Sequence, residues 1–246
     1  MNILHISDTH GLHESFPMDR FEGIDLVIHS GDCSNSRNPY NNESEVRGFI
    51  DWYSRAPVKH KIYVAGNHDT SIERRLVTPA DFPGIIYLEN SGVTIDGIKF
   101  WGSPHTPRFG DWAFMKAREK IGRAWDAIPE DTDVLITHGP PKGVRDLSFN
   151  RDGELEMCGC SALMKRCWKL RHSLKLVCFG HIHNMKGIET NQGIAQYSHI
   201  KTIFSNAACV WDGDFTLKSF GNEIRITDQG EVIISPGRGK EPGAVA

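Results

Sequence analysis

The chain has 246 residues, of which 39% are hydrophobic and 24% are charged, and its formal net charge is −3. This composition is typical of a globular protein with a substantial core. The net charge is not basic, so no overall positive field favours binding to nucleic acid or anionic membranes. Because no apolar run is long enough to span a bilayer and the first residues lack a secretory-signal pattern, we expect a cytoplasmic protein with no membrane partner.

The first third of the chain alternates strand and helix signals. Strands are predicted at about residues 2–7, 25–30 and 60–65. A helix is predicted over Asn42 to Arg55, because apolar residues recur there at helical spacing and acidic residues stand in its first turn. A second, short helix is expected after His68.

The rest of the chain predicts more strands and two longer helices. Strands are predicted at about residues 85–88, 93–95, 98–102, 133–137 and 175–179, with several more over 201–235. Asp96-Gly97 is a pair of residues that favours a tight hairpin turn. Helices are predicted at about 113–127 and 159–171.

These elements predict one α/β domain over residues 1–236, with two sheets packed face to face and helices outside them. Residues 237–246 are rich in Gly, Pro and charge, and they are predicted to form a flexible tail.

The cysteines indicate a reduced protein. Six are present: Cys33, Cys158, Cys160, Cys167, Cys178 and Cys209. A chain of this size does not need disulfides, and without an export signal we expect all six to be reduced. Cys158-Gly159-Cys160 lacks the two-residue spacing of a zinc ribbon, so it predicts no structural zinc site.

Five of the predicted strands end at residues that can bind metal ions. These candidate ligands are Asp8, His10, Asp32, Asn67, His138, His181 and His183. Buried strands that end at one edge of a sheet bring such residues together. In extended backbone, residues two apart point to the same side, so Asp8 with His10, and His181 with His183, should each present two donors to one point.

The mixture of carboxylate, amide and imidazole ligands indicates the kind of metal. Manganese, iron and zinc accept such nitrogen and oxygen sets, whereas magnesium and calcium prefer nearly all-oxygen shells. Each motif alone is also compatible with an ordinary turn. The five together, each at the end of a strand, predict a site for two divalent metal ions.

The motifs resemble those of the calcineurin-like metallophosphoesterases. They are Asp8-x-His10, Gly31-Asp32, Gly66-Asn67-His68-Asp69, His138 and Gly180-His181-x-His183. Three further segments are similar to the MPPED branch, the metallophosphoesterase-domain proteins: Trp101-Gly102-Ser103-Pro104, Asp111-Trp112-Ala113-Phe114 and His138-Gly139-Pro140-Pro141. That branch hydrolyses phosphodiesters, including cyclic nucleotides, and favours manganese.

The resemblance implies a four-layer α/β/β/α sandwich of two mixed sheets flanked by helices, and a metal-dependent phosphoric ester hydrolase. It also implies an assignment of ligands. Asp8, His10 and His183 would hold the first metal, and Asn67, His138 and His181 the second, with Asp32 bridging both.

The resemblance and the ligand chemistry together suggest how the reaction would proceed. Hydroxide bridging the two metals would attack phosphorus. His68 would protonate the leaving oxygen and, with Asn67, contact the phosphate, while Asp69 would orient the His68 ring. The loop over residues 103–112 could stack a base and contact phosphate through His105 and Arg108, although it could equally be a packed surface loop.

The expected function is therefore hydrolysis of a small nucleotide phosphodiester, a cyclic nucleotide among the candidates. Three alternatives stay open: a phosphomonoesterase or pyrophosphohydrolase, a DNA nuclease, and a scaffold that no longer catalyses. The net charge of −3 does not favour the nuclease, and the complete ligand set does not favour the scaffold. The sequence does not select the phosphoester, the metal or the oligomeric state.

Overall fold

The computed structural model describes residues 1–150, 152–185, 187–190 and 201–234. The predicted tail at 237–246 lies outside the described residues. Within those residues, no helix is both long enough and apolar enough to cross a membrane. All six cysteines are free thiols.

The first half of the chain forms β1 (Asn2–Ile6), β2 (Leu26–His29), α1 (Pro39–Ser54), β3 (His60–Tyr63), α2 (Thr70–Glu73), β4 (Ile86–Tyr87), β5 (Ser91–Ile95), β6 (Ile98–Ser103), β7 (Thr106–Pro107), β8 (Met115–Lys116) and α3 (Gly122–Asp126). The second half forms β9 (Val134–Thr137), β10 (Leu147–Phe149), β11 (Leu155–Met157), α4 (Ser161–Lys169), β12 (Leu176–Phe179), β13 (Gly187–Thr190), β14 (Ile203–Asn206), β15 (Val210–Trp211), β16 (Thr216–Leu217), β17 (Asn222–Ile226) and β18 (Val232–Ile234).

Two six-stranded sheets form the centre of the fold. The first has the order β18-β17-β1-β2-β3-β4, in which β1 to β4 are parallel and β17 and β18 are antiparallel. The second has the order β13-β14-β12-β9-β6-β5, with four parallel strands between antiparallel edge strands. Both sheets are therefore mixed, and their parallel strands end at the same edge, where the polar motifs follow.

Three apolar clusters hold the layers together. Between the two sheets, the buried residues include Ile3, Ile28, Ile62, Phe100, Ile136 and Cys178. Between the first sheet and α1 they include Leu4, Val27, Phe49, Tyr53 and Tyr63. Between the second sheet and the helices α3 and α4 they include Trp125, Leu135, Leu163, Cys167, Val177 and Phe204. The order of layers is α/β/β/α, so the predicted fold class is confirmed.

Strand β17, near the end of the described chain, pairs with β1 at its beginning. Each sheet therefore depends on distant parts of the sequence. On this ground we propose that residues 1–236 form one domain.

The local predictions are mostly confirmed before residue 113. Helix α1 begins at Pro39, three residues earlier than predicted, because the Asn38 side chain accepts hydrogen bonds from the backbone N–H groups of Tyr40 and Asn41. The hairpin at Asp96-Gly97 joins β5 to β6, and both turn residues have positive φ.

The helix predicted over 113–127 is wrong for most of its length. Residues 115–116 form β8, and only Gly122–Asp126 is helical. The backbone N–H of Ala113 donates to the Asn67 carbonyl, and that of Phe114 donates to the Glu73 carboxylate. These tertiary hydrogen bonds outweigh the local helical preference and hold the segment beside the carboxyl end of β3.

A buried histidine joins the two sheets. The Nδ1 atom of His5 in β1 lies 2.7 Å from the Ser205 hydroxyl in β14, and its Nε2 atom lies 2.9 Å from the Ser30 hydroxyl. Burial lowers the pKa of His5 to about 3, so the ring is neutral at neutral pH. Both ring nitrogens are paired, which offsets the cost of burying them.

This histidine predicts a dependence of stability on pH. The unfolded chain binds a proton at His5 below pH 6.5, whereas the folded chain excludes it down to about pH 3, so the free energy of unfolding falls as the pH falls through that window. His29, whose pKa burial also lowers to about 3, acts in the same direction. We expect His5→Gln to reduce this slope by up to ~1.4 kcal/mol per pH unit.

The measurement is urea unfolding of the metal-free protein at several values between about pH 7.5 and about pH 4.5. The exposed His172 provides the control, because His172→Gln should leave the slope unchanged. A wild-type slope in His5→Gln would contradict the prediction.

Candidate metal centre

The candidate ligands meet at the edge where the parallel strands of both sheets end. Asp8 and His10 follow β1, Asp32 follows β2, and Asn67 follows β3, all in the first sheet. The second sheet supplies the three others: His138, His181 and His183. All seven are buried except His181, which is partly exposed. The site therefore lies between two sheets and depends on their packing.

The structure brings the ligand atoms into overlapping groups. Atoms of Asp8, His10 and His183 lie within 4.8 Å of one another, as do atoms of Asp32, His138 and His181. Asp32 also groups with His10 and His68, so its carboxylate lies between the two sets. The seventh residue, Asn67, places its Oδ1 atom 2.9 Å from Nε2 of His138. Each set contains the nitrogen and oxygen donors of a divalent metal site.

The backbone at these positions is not extended as expected. Asp8 and His10 nevertheless fall in one group, as predicted, whereas the prediction for His181 and His183 is wrong. Asp8, His10, Asp32 and His181 have φ angles of 52°, 45°, 57° and 69°. The strands end before these residues, and the left-handed conformation turns each side chain individually toward the centre. As a result His181 joins the set of Asp32 and His138, while His183 joins the set of Asp8 and His10.

Two glycines allow the ligands to lie directly against the backbone. A Cβ atom at Gly180 would stand 1.9 Å from Oδ2 of Asp8, and one at Gly66 would stand 2.2 Å from Oδ1 of Asp32. Any larger residue would displace the carboxylate. The glycines of these motifs are thus required by close approach.

The protonation states of several ligands suit metal binding. Burial lowers the pKa of His10 to about 4 and that of His181 to about 3, so both rings are neutral at neutral pH. Burial alone would raise the pKa values of Asp8 and Asp32, but the neighbouring histidines lower both. Ionised carboxylates and neutral imidazoles are the forms that bind metals.

Two other ligands, His138 and His183, are positively charged imidazoles in the absence of metal. Burial would lower the pKa values of His138 and His183, but Asp32 beside His138, and Asp212 and Asp8 beside His183, raise them to about 9 and about 10. Nε2 of His138 lies 3.2 Å from Asp32, and Nε2 of His183 lies 3.3 Å from Asp8. Protons here balance the carboxylates, which is the role divalent cations would take over, so the donor set fits metal ions.

Groups outside the donor set orient three of the imidazoles through their Nδ1 atoms. The Nδ1 atom of His138 lies 3.0 Å from the Ser30 carbonyl, and that of His10 lies 3.2 Å from the Ser34 carbonyl. The Nδ1 atom of His183 lies 2.5 Å from the Asp212 carboxylate. In each case the Nε2 atom faces the other candidate ligands and is available to a metal ion. The partner of Nδ1 sets the tautomer and the orientation of the ring.

Asp212 is a site residue that the sequence did not reveal. It follows β15, and its Asp-Gly pair indicates only a turn. Another residue of this hairpin, Phe215, places its ring 5.4 Å from the ring of His10. The hairpin therefore covers the group formed by Asp8, His10 and His183, which no local pattern could indicate.

The role expected for Asp69 requires correction. Its carboxylate accepts hydrogen bonds from the Gly66 and Asp32 backbone N–H groups at 2.6 and 3.0 Å, from the Ser34 hydroxyl at 2.6 Å and from the Tyr63 hydroxyl at 2.7 Å. Asp69 thus joins the loops that carry Asp32 and Asn67, because several donors from both loops converge on it.

The ring of His68 is held by other groups. Its Nδ1 atom lies 3.3 Å from the Asn35 carbonyl, and its backbone N–H donates to Oδ1 of Asp32 at 2.7 Å. Its ring centroid lies 4.7 Å from that of His10 and 4.3 Å from that of Trp112. His68 therefore stands at the boundary between the ligands and the surface, where a substrate would approach.

The loop over 103–112 borders the site, but through residues other than those expected. His105 is buried, with Nδ1 3.1 Å from the Phe114 carbonyl and Nε2 3.1 Å from the Asn90 amide, so its position is structural. Arg108 lies 3.6 Å from Asp111 and lines a cavity of about 620 Å³ that contains none of the seven ligands.

The residues of this loop that do reach the site are aromatic. The Trp112 ring lies against that of His68, with the two planes tilted by 34°, and the Arg37 guanidinium lies 3.8 Å from the centre of the Trp112 ring. Phe109 lies 5.3 Å from the His181 ring. Both belong to the loop over 103–112, but their sequence neighbours give no sign of which side chains face inward.

Comparison with known proteins gives a consistent picture. A family model described as calcineurin-like phosphoesterase matches residues 1–185. The chain is 31% identical over 208 residues to metallophosphoesterase domain-containing protein 1 of Homo sapiens, covering 74% of this chain and 60% of that protein. It is 32% identical over 224 residues to UPF0046 protein K07C11.7 of Caenorhabditis elegans, covering 85% of this chain and 69% of that protein.

Two further similarities differ in kind. A probable rhamnogalacturonate lyase C of Emericella nidulans is 35% identical over 201 residues, which are 77% of this chain but only 18% of that protein. A dimetal phosphatase from Danio rerio has a similar structure, with a TM-score of 0.53 over 84% of this chain and 86% of that chain. At 10% sequence identity, that likeness concerns the fold alone.

The contact between Asp212 and His183 predicts an effect on metal affinity. Asp212→Asn removes the charge that orients and polarises the imidazole, so we expect manganese to bind about 10- to 100-fold more weakly at one site. Titration calorimetry measures this affinity. Asp214→Asn in the same hairpin is the control, because Asp214 bonds to Thr216 and Lys218. Equal affinities in the two variants would contradict the prediction.

The position of Asp32 between the two groups predicts a change in metal content. Asp32→Ala removes the carboxylate that groups with His138 and His181 on one side and with His10 on the other, so we expect fewer than two metal ions per chain. Elemental analysis after manganese loading measures the ratio. A ratio of two in this variant would show that Asp32 does not bridge.

Proposed function

Because the chain belongs to the calcineurin-like phosphoesterase family, we propose that it is a binuclear phosphodiesterase that hydrolyses a small nucleotide diester, with a cyclic nucleotide as the first candidate. The family is one of metal-dependent phosphoric ester hydrolases, and with the fold it implies two divalent metal ions. The observation that carries the proposal is the Asp32 carboxylate lying between two groups of nitrogen and oxygen donors.

The ligands divide between two ions in this proposal. One ion would be held by Asp8, His10 and His183, and the other by Asn67, His138 and His181, with Asp32 available to both. We propose manganese as the resident metal, since the mixed donor set suits it; iron and zinc accept the same ligands. Two bound cations would lower the pKa of a shared water and neutralise charge on the phosphate oxygens.

Residues of the chain then position the substrate and transfer the proton. We propose that Asn67, beside His138, and His68, beside His10, contact the phosphate. His68 directs Nδ1 to the Asn35 carbonyl, so we assign proton transfer to the leaving oxygen to its Nε2 atom. The contact with the Trp112 ring keeps the imidazole in place. Asp69 supports this arrangement indirectly, by joining the loops that carry Asp32 and Asn67.

The substrate class is tested with a panel of cyclic and linear nucleotides, together with mono- and bis-aryl phosphates. We expect diesters to be cleaved faster than monoesters, with activity abolished by chelator and restored by manganese. Faster cleavage of monoesters or pyrophosphates would replace the diester assignment, and cleavage of DNA would favour a nuclease. We propose a cytoplasmic location from the sequence alone, and fractionation of cells would test it.

Replacement of His68 tests its role in proton transfer. We expect His68→Asn to retain both metal ions but to lose about 10²- to 10⁴-fold in turnover, which is the typical contribution of a general acid. Phosphodiester hydrolysis across a range of pH, with elemental analysis of the same samples, measures both properties. His172→Asn, at an exposed position, is the control. Turnover equal to wild type at every pH would refute the assignment.

A further inference from the structure

A cavity of about 560 Å³ opens beside the candidate metal centre on the side of His181. Its lining includes the ring of that ligand and the aromatic rings of Phe109 and Phe149. This volume lies in the range of small-molecule sites, which is roughly 300–1,000 Å³. A group attached to a phosphate at the metal centre can therefore extend into the cavity.

The aromatic walls are exposed to solvent. Phe109 is 50% exposed and Phe149 is 63% exposed. Phe149 ends β10, in a hairpin with β11 whose other apolar residues, Leu147, Leu155 and Met157, are also exposed. Large apolar side chains grouped at the surface indicate a binding site, because covering them removes apolar area from water. Aromatic rings favour a flat, ring-shaped ligand.

The charges of the lining argue against a second phosphate in this cavity. Among the described residues that line the cavity, Arg118 is the only one with a permanent positive charge, and Asp152 and Glu156 are acidic. The Arg118 guanidinium also donates hydrogen bonds to the carbonyls of Cys158 and Gly159. A site for a polyphosphate would need several converging cations. An uncharged organic group fits this lining better than another phosphoryl group.

We propose that this cavity binds a flat, uncharged aromatic or heteroaromatic group of the phosphoester, such as a nucleobase, and that Phe149 is a specificity-determining residue. The inference rests on the proposed function, because it assumes that the phosphate of the same ligand lies on the metal centre. Phe109 contacts both the cavity and His181, so it connects the ring site to the metal site. Phe149 touches none of the candidate ligands among the contacts of the described residues and can be changed independently.

The test compares two ligands that differ only in the organic group. Phenylphosphonate and methylphosphonate are titrated calorimetrically into manganese-loaded protein, so the readout is binding and does not require turnover. We expect phenylphosphonate to bind wild-type protein about tenfold more tightly, as one aromatic contact would provide. In Phe149→Ala, the preference should fall to about twofold or less, while methylphosphonate binds as before.

Leu155→Ala is the matched control. Leu155 pairs with Phe149 across the hairpin and is 60% exposed, but it does not line the cavity. Its replacement should weaken the hairpin comparably while preserving the preference for the phenyl group. Circular dichroism confirms that each variant folds.

The outcomes separate the two proposals. A preference retained in Phe149→Ala, lost equally in Leu155→Ala, or absent from wild type would overturn the assignment of the cavity. If wild type shows the preference but hydrolyses no diester, the proposed function fails while the ring site stands. If diesters are hydrolysed without a phenyl preference, the function stands and the ring site fails.

Discussion

The site depends on keeping two ionised carboxylates buried between two sheets. Asp8 and Asp32 have almost no solvent exposure, and charges in such surroundings must be neutralised by close partners. The histidines around them supply the opposite charge. His138 and His183 are positively charged, while His10 and His181 are neutral. The left-handed backbone at the ligands, the glycines that allow close approach and the acceptors behind the imidazoles all keep the same groups in contact. A pair of divalent cations would take the place of these two imidazolium charges.

The order of the layers and the place of the ligands could be predicted because both follow from local patterns. An apolar strand that ends at a polar residue is visible in a few neighbouring letters, and parallel strands place such ends at one edge. What surrounds the ligands is a tertiary property. Asp212 reaches His183 from a hairpin 29 residues later, and nothing near Asp212 distinguishes it from an ordinary turn. The position of Asp69 next to His68 predicts that it orients that ring, but the donors that converge on its carboxylate include Ser34, Asp32 and Tyr63.

In the segment after β6, tertiary hydrogen bonds determine the backbone conformation against the local sequence preference. Its composition favours a helix, yet hydrogen bonds to Asn67 and Glu73 hold Ala113 and Phe114 in a loop beside the site. This places Trp112 on His68 and Phe109 against His181, on two sides of the ligand groups. The ligands come from both sheets, whereas the aromatic surroundings come mainly from loops of the second.

Two of the hydrogen bonds to the Asp69 carboxylate have a consequence for how such a centre would be assembled. They connect the backbone of Asp32 to that of Gly66, immediately before Asn67, without touching any of the ligand atoms. The spacing between Asp32 and Asn67, which would both serve the ion of His138 and His181, is thus set by the folded polypeptide itself. Ions of somewhat different radius would have to adapt to that spacing.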